Sequence, residues 1–370
     1  MSTPILTPEM TAAGVPWWRR ALVYGVFALF AVWCIKAFYH DIVQIDLTPL
    51  RAGWMAVAIA AALSLLNYAL RVWRWRMYLQ RLGHDLPWGF VSLTFMAGFA
   101  FTLSPGKLGE MVRARYYQSH GIPVSAVSGA FFVERLLDLA VMILLAVAVL
   151  AELQAYRAFL WVAVGLVGAL LASVALVPWT RVAAHLMAVH QGKLVVALRP
   201  VVNMLVSARQ FLAPGLLLSG LLMGLVAWGA EAVGLKLVAD VVAPIELSIP
   251  AAMGIYAIAI IVGALSFLPG GLGSTEAVMA ALLFAHGYTM PQAILLTLVC
   301  RLLTLWLAVA IGALALDQQA GFIGGFFCTW LIHERESFGN DGAHWKFDCG
   351  IHPTFLVFQE ARLLAFRNKH

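Results

Sequence analysis

The chain has 370 residues, of which 62% are hydrophobic and 11% charged, with 24 Lys plus Arg against 18 Asp plus Glu and a net charge of +6. Its mean hydropathy is +0.89, and soluble chains carry roughly 25% charged residues, so a soluble globular protein is excluded and an integral membrane protein is expected. In such a chain the basic excess is read by its distribution rather than as a nucleic-acid footprint, and no nucleic-acid partner is expected.

Arg19 and Arg20 precede the apolar run 21–39. That run is longer than a secretory core and has no small-residue cleavage site behind it, so it reads as an uncleaved anchor with residues 1–20 in the cytoplasm. The runs 53–70, 128–150, 158–178, 214–238 and 290–316 approach the ~20 residues needed to cross a hydrocarbon layer. Alternating patterning is absent, so they are expected to be helices rather than barrel strands. With the N-terminus inside, segments 71–87 (Arg71, Arg74, Arg76, Arg81) and 179–213 (Arg181, Lys193, Arg199, Arg209) fall on the cytoplasmic side, and 40–52, 151–157 and 239–250 fall outside. The positive-inside rule is then obeyed.

The count closes only if 88–120 does not cross: Trp88 to Leu103 is apolar but short, and GEMVRARYYQSHG is too polar to span. A re-entrant hairpin from the cytoplasmic side fits both facts, and 250–287 reads as a second one entering from outside. The stretch Asn67 to Arg76 reads as an aromatic belt joined to a positive-inside signal, or as a collar for anionic headgroups. Segment 179–213 reads as a basic interfacial helix. Cys34 and Cys300 lie in apolar runs and Cys328 and Cys349 in the tail; with neither redox nor zinc spacing, all four are expected to be unpaired and no metal or cofactor is expected.

The two hairpins repeat one another. The first turns at Pro105-Gly106-Lys107-Leu108-Gly109 followed by Glu110, the second at Pro269-Gly270-Gly271-Leu272-Gly273 with Glu276 just after, and an arginine, Arg135 or Arg301, stands twenty-five residues beyond each glutamate. Three spans separate the copies, so the second is inverted, and inverted repeats with broken helices point to a transporter site between the halves. The expected fold is an all-α polytopic membrane protein, an inverted-topology repeat with two re-entrant broken-helix hairpins. Its parts are a cytoplasmic N-terminus at 1–20, a transmembrane domain at 21–316 (repeat one about 53–150, repeat two about 214–316) and a cytoplasmic or interfacial tail at 317–370.

Pro-Gly stops a descending half-helix, and the ascending one presents free N–H groups and a positive dipole end suited to phosphate or carboxylate. Lys107 adds a cation in the first copy. Arg135 and Arg301 lie within apolar spans, where an unpaired charge costs at least ~2.5 to 3.5 kcal/mol; they are expected to pair with Glu110, Glu134, Asp138, Glu231 or Glu276, or to grip an anion through the planar fork. Glu110 and Glu276 are placed to cap helix starts, or to exchange partners as an anion moves. The candidate substrate-binding set is Pro105, Gly106, Lys107, Glu110, Arg135, Asp138, Pro269, Gly270, Gly271, Glu276 and Arg301, with no catalytic residue.

The elements N-x-x-x-R-x-W-R-W at 67–75, P-G-K-L-G-E at 105–110, E-R-x-x-D at 134–138, P-G-G-L-G-S-T-E at 269–276 and Arg301 resemble the transmembrane flippase domain of lysylphosphatidylglycerol synthases and their stand-alone YbhN-like relatives. The resemblance covers about 21–316 and implies movement of a lipid with a charged headgroup between leaflets of the bacterial inner membrane. The synthases carry an aminoacyl-transferase domain after this region, whereas 54 residues follow Leu316 here, so the resemblance implies no synthase activity. The tail, with Cys328, His333, His344, Cys349 and His352, is expected to be an interfacial or disordered extension or an altered reading frame. The leading expectation is a lipid translocator without a nucleotide engine, since G-x-x-x-x-G-K-[ST] is absent. Its partner is a phospholipid or other polar lipid, and a homo-oligomer is left open. The alternatives are a secondary transporter of a small soluble anion and a membrane-embedded lipid-modifying enzyme.

Overall fold

The computed structural model describes residues 45–150, 157–188 and 193–319. The anchor 21–39 with Cys34, the loop 151–156 and the tail from 320 with Cys328 and Cys349 lie outside the described residues. Every regular element among the described residues is helical, and the chain is an all-α polytopic membrane protein. After a short helical turn at Thr48–Ala52, the first half holds α1 (Trp54–Arg81), α2 (Trp88–Phe99), a 3-10 run (Pro105–Val112) leading into α3 (Arg113–Gln118), and α4 (Val124–Leu150). Next come α5 (Arg157–Leu176), α6 (Trp179–Ala188) and α7 (Lys193–Ala208). The second half holds α8 (Pro214–Val242), α9 (Ile249–Leu265), the turn Pro269–Gly271, α10 (Ser274–Ala285) and α11 (Met290–Arg301), which runs on through a π segment at Leu302–Trp306 to Gln319.

Three helices are long and apolar enough to cross a membrane among the described residues: α1, α8 and the continuous Met290–Gln319. Helix α4 is close to them in length with 27 residues, but Glu134, Arg135 and Asp138 sit near its middle. The apolar run after 157 bends by 70° between Val167–Leu176 and Trp179–Leu186. Pro178 lies at that break, lacking an N–H and disfavouring helix in the residue before it. The basic segment 179–213 is therefore not one interfacial helix but two, and the second is part of the core: Ala208 and the following Phe211 are fully buried. Proline opens α8 at its first position, and Thr289 and Gln292 close a reciprocal cap at the start of α11.

The bundle is organised around α1 and α8, which pack more extensively than any other pair. They run antiparallel. Arg81 Nε donates to the Gln210 carbonyl, 3.3 Å away, at one end, and Gly53 lies against Val241 at the other. Hairpin one has its open end at the Arg81 end, where Tyr117 accepts from Trp75 Nε1 at 2.9 Å and Phe90 packs on His120. Hairpin two has its open end at the Gly53 end, where Tyr288 donates to the Ile245 carbonyl at 3.3 Å. Between these ends the two Pro-Gly turns pack against each other. With helices of 12 residues in α2 and 17 in α9, neither descending arm reaches the ~20 residues of a full span.

This geometry gives an expected labelling pattern. In a chain whose four cysteines are replaced, an exposed cysteine at Arg115 and one at His286 should be reached by an impermeant thiol reagent from opposite faces of the membrane. Labelling of both from the same face would contradict the placement of the hairpins.

Candidate functional site

Glu134 is fully buried and stands at the centre of a charged cluster. Its Oε1 lies 2.9 Å from Arg135 Nη2, 3.4 Å from Arg74 Nη2 and 3.5 Å from Arg71 Nη2, and its Oε2 lies 3.6 Å from Arg113 Nη1. Asp138, one helical turn on, holds Arg74 at 2.7 Å and Arg135 at 3.2 Å and accepts from Trp228 Nε1. Glu110 pairs with Arg113 at 3.1 Å and accepts from Thr102 Oγ1. Desolvated charges of this kind are tolerated only when paired and hydrogen-bonded. Aromatic faces complete the enclosure: the Arg113 guanidinium lies 4.2 Å from the Trp75 ring and 4.6 Å from Phe95, and Arg71 lies 5.2 Å from Phe99. Gly220 and Gly224 make room for Arg74, since a Cβ at Gly224 would stand 3.3 Å from Arg74 Nη1.

The second half is lighter. Arg301 Nε donates to Glu276 Oε1 at 2.6 Å and its Nη2 to the Gly270 carbonyl at 2.7 Å, so the arginine is clipped to its own turn. Glu276 Oε2 accepts from the Gly273 N–H at 2.6 Å, which caps α10. Three glycines there, Gly270, Gly271 and Gly273, have φ of 61°, 67° and 85°, the left-handed region that glycine enters freely. Phe267, two residues ahead of the turn, also has a positive φ, 54°, and is exposed; for a bulky residue this marks local strain. Directly after Arg301 the helix widens into its π segment, where the Thr304 carbonyl accepts from Tyr68 Oη at 2.6 Å. Such π turns occur frequently at functional sites.

Arg135 and Arg301 line the same cavity, of about 300 Å³, together with Asp138, Ser104, Trp228 and Gly270. The cavity wall continues to Leu265 and Leu268, which are 58% and 37% exposed. A smaller chamber of about 50 Å³ adjoins it, sharing Trp228, Ile260, Arg301 and Leu305 and adding Tyr68, Arg71, Glu110, Glu231 and Tyr256. Of the residues picked out from the sequence, the structure brings Arg135, Asp138, Gly270, Gly271 and Arg301 to the larger cavity and Glu110 to the smaller. Pro269 begins the second turn and Glu276 stands behind Arg301. Pro105, Gly106 and Lys107 form the start of the 3-10 run; their side chains lie outside the described residues.

Three expectations are corrected. The half-helix expected to ascend directly from the first Pro-Gly turn does not begin as an α-helix, because a 3-10 run of eight residues comes first and leads into the six-residue α3. Glu110 does not cap a helix start but pairs with Arg113 and Thr102. The Asn67 to Arg76 stretch is not simply an interfacial belt: Arg71, Arg74 and Trp75 are buried, while Trp73 is exposed and Arg76 pairs with the exposed Asp85. The signal for the inward face was present, since Asn67, Arg71, Arg74 and Tyr78 follow helical spacing on one side. Arg71, Arg74 and Arg113 are the site residues that sequence reasoning missed.

Residues 17–312 match the family described as the lysylphosphatidylglycerol synthase TM region, and the chain belongs to that family. It is also similar to a UPF0104 membrane protein of Methanothermobacter thermautotrophicus, with 27% identity over 316 residues covering 77% of this chain and 89% of the relative.

Removing one member of a buried ion network leaves the others uncompensated, at ~3 to 5 kcal/mol. Glu134→Gln, which faces four guanidiniums, should therefore lower the thermal unfolding temperature of the detergent-purified protein far more than Glu276→Gln, whose side chain is 22% exposed and serves one guanidinium. Equal losses would show that Glu134 is not the keystone of the network.

Proposed function

We propose that the protein moves a lipid with a charged headgroup between the two leaflets of the inner membrane, with its N-terminus in the cytoplasm. The headgroup passes through the cavity between Arg135 and Arg301 while the acyl chains stay in the bilayer. One observation carries this reading: the cavity is charged at its inner wall, through Arg135 and Arg301, and apolar at its outer wall, through the exposed Leu265 and Leu268. An amphipathic wall suits an amphipathic substrate. The two hairpins then act as the halves of an inverted repeat whose turns meet beside the site, the arrangement of many secondary transporters. Membership of the family supports a lipid-related role, and the family region matched is the membrane part of a lipid-synthesising enzyme by its description.

A transporter of soluble anions would use the same arginines, but it has no need of a cavity wall that runs out to exposed leucines. The test is made in proteoliposomes containing only this protein. Arg301→Lys and Arg135→Lys keep the charge but lose the planar two-pronged fork, and the loss of one charge-assisted hydrogen bond at ~1.5 to 3 kcal/mol corresponds to at least about tenfold slower headgroup movement. Arg→Ala variants should be only slightly slower again. Lys variants that are stably inserted and fully active would overturn the two-pronged role of these arginines, and uptake of inorganic phosphate into the lumen in place of headgroup movement would overturn the lipid reading.

A further inference from the structure

Helices α1 and α8 are long and apolar enough to cross the membrane, so the Arg81 end of one and the Pro214 end of the other lie at one surface, at the level of lipid headgroups. There Arg81, the last residue of α1, and Arg209, which opens the 3-10 turn Arg209–Leu212 ahead of α8, line an open cavity of about 250 Å³. Ala175 of α5, Gln210, Leu212 and Ala213 complete its wall. The cavity shares no residue with the two chambers of the proposed headgroup path. Both arginines are exposed. Arg81 Nε is fixed on the Gln210 carbonyl at 3.3 Å, which orients its planar fork. Its terminal nitrogens, and the whole guanidinium of Arg209, have no hydrogen-bond or ion-pair partner among the described residues. Asp85, four residues after Arg81, is taken by Arg76 and Gln80.

The start of α8 presents the same sign of charge. Its N-cap, Ala213, offers no capping side chain, Pro214 at its first position has no N–H, and no acidic residue stands in its first turn. The positive end of a 29-residue helix is thus left without the hydroxyl or carboxylate that ordinarily satisfies it. A Cβ at Gly215 would meet nothing within 4 Å, so the space beside this helix start is open. Two guanidiniums without partners and an uncapped helix start at one cavity suit an anion, and the guanidinium fork matches phosphate. Ala175, Leu212 and Ala213 make the rest of the wall largely apolar, and a basic pocket between helices at a membrane surface is suited to an anionic headgroup. Among the described residues no carboxylate lines the cavity to receive an ammonium, which favours a net-negative headgroup over a zwitterionic one. We propose that this cavity binds the phosphate of an anionic phospholipid from the surrounding leaflet, and that the bound lipid ties the end of α1 to the start of α8. The site is separate from the headgroup path and independent of the transport reading.

Native mass spectrometry of the full chain, released from detergent and titrated with phosphatidylglycerol, reads this binding directly. An arginine at a lipid surface is worth about fivefold in affinity, so Arg81→Gln and Arg209→Gln should each raise the phosphatidylglycerol concentration that half-fills one lipid site about fivefold, and the double variant by about 25-fold. Arg209→Gln removes no contact seen within the protein, so its loss of lipid does not come from misfolding. Arg301→Lys, in the headgroup path, should leave this lipid in place. Added phosphatidylglycerol should also raise the thermal unfolding temperature of the wild type more than that of the double variant, and phosphatidylcholine should not displace it. Phosphatidylglycerol held by the double variant as tightly as by the wild type overturns the proposal, as does phosphatidylcholine bound with the same dependence on the two arginines. Inorganic phosphate that stabilises the wild type but not the double variant, where phosphatidylglycerol stabilises neither, would mark a site for free anions and overturn the lipid assignment.

Discussion

The fold depends on one carboxylate surrounded by guanidiniums inside an apolar bundle. Glu134 draws Arg71 and Arg74 from α1, Arg113 from the end of the first hairpin and Arg135 from its own helix to a single point. None of these charges is stable there alone, so α1, α4 and the first hairpin are fixed relative to one another by the requirement that they meet. Apolar packing in a lipid solvent supplies little of that specificity, because acyl chains are as apolar as leucine. The network and its aromatic walls at Trp75, Phe95 and Phe99 supply it instead.

The surroundings of the two Pro-Gly turns differ in chemistry. In the first, the arginine after the turn shares Glu134 and Asp138 with three other arginines or their partners, and is held in a dense lattice. In the second, Arg301 is held by one carboxylate and one backbone carbonyl of a glycine-rich turn. Phe267 before that turn has a positive φ, and a π segment follows Arg301. In the transport reading proposed above, the first half would serve as the frame and the second as the part that exchanges contacts with an anion.

Much of this was legible in the sequence because membrane burial acts on composition and on charge placement. The long apolar runs stood out because they are expensive in water, and the doubled Pro-Gly turns and the two arginines because each is expensive in a membrane unless it is partnered. Direction was harder to read. Arg71 and Arg74 sit among tryptophans near a helix end, which is where the positive-inside rule also puts arginines, so their shared helical face with Asn67 and Tyr78 was masked until Glu134 and Asp138 were seen opposite them. The 3-10 geometry after Pro105 was hidden for a similar reason. Pro-Gly announces a break, but the geometry of the next residues goes with contacts that the motif does not reveal, here Arg113, which reaches back to the carbonyl and carboxylate of Glu110 and across to Glu134 of α4. Segment 193–208 reads as basic and interfacial, yet it packs closely on α4 at Gly129, where a Cβ would meet the Ala208 backbone at 2.8 Å.

Passage of lipid headgroups through the cavity between Arg135 and Arg301 requires that this chain alone be sufficient for the movement. Leaflet-resolved headgroup labelling in vesicles made with and without the purified wild-type protein tests that sufficiency most directly. An impermeant reagent, confined to the outer leaflet in protein-free vesicles, should reach an anionic phospholipid of both leaflets when the protein is present. Labelling that stops at the outer leaflet in both preparations, with the protein folded and inserted, would contradict headgroup passage through the cavity.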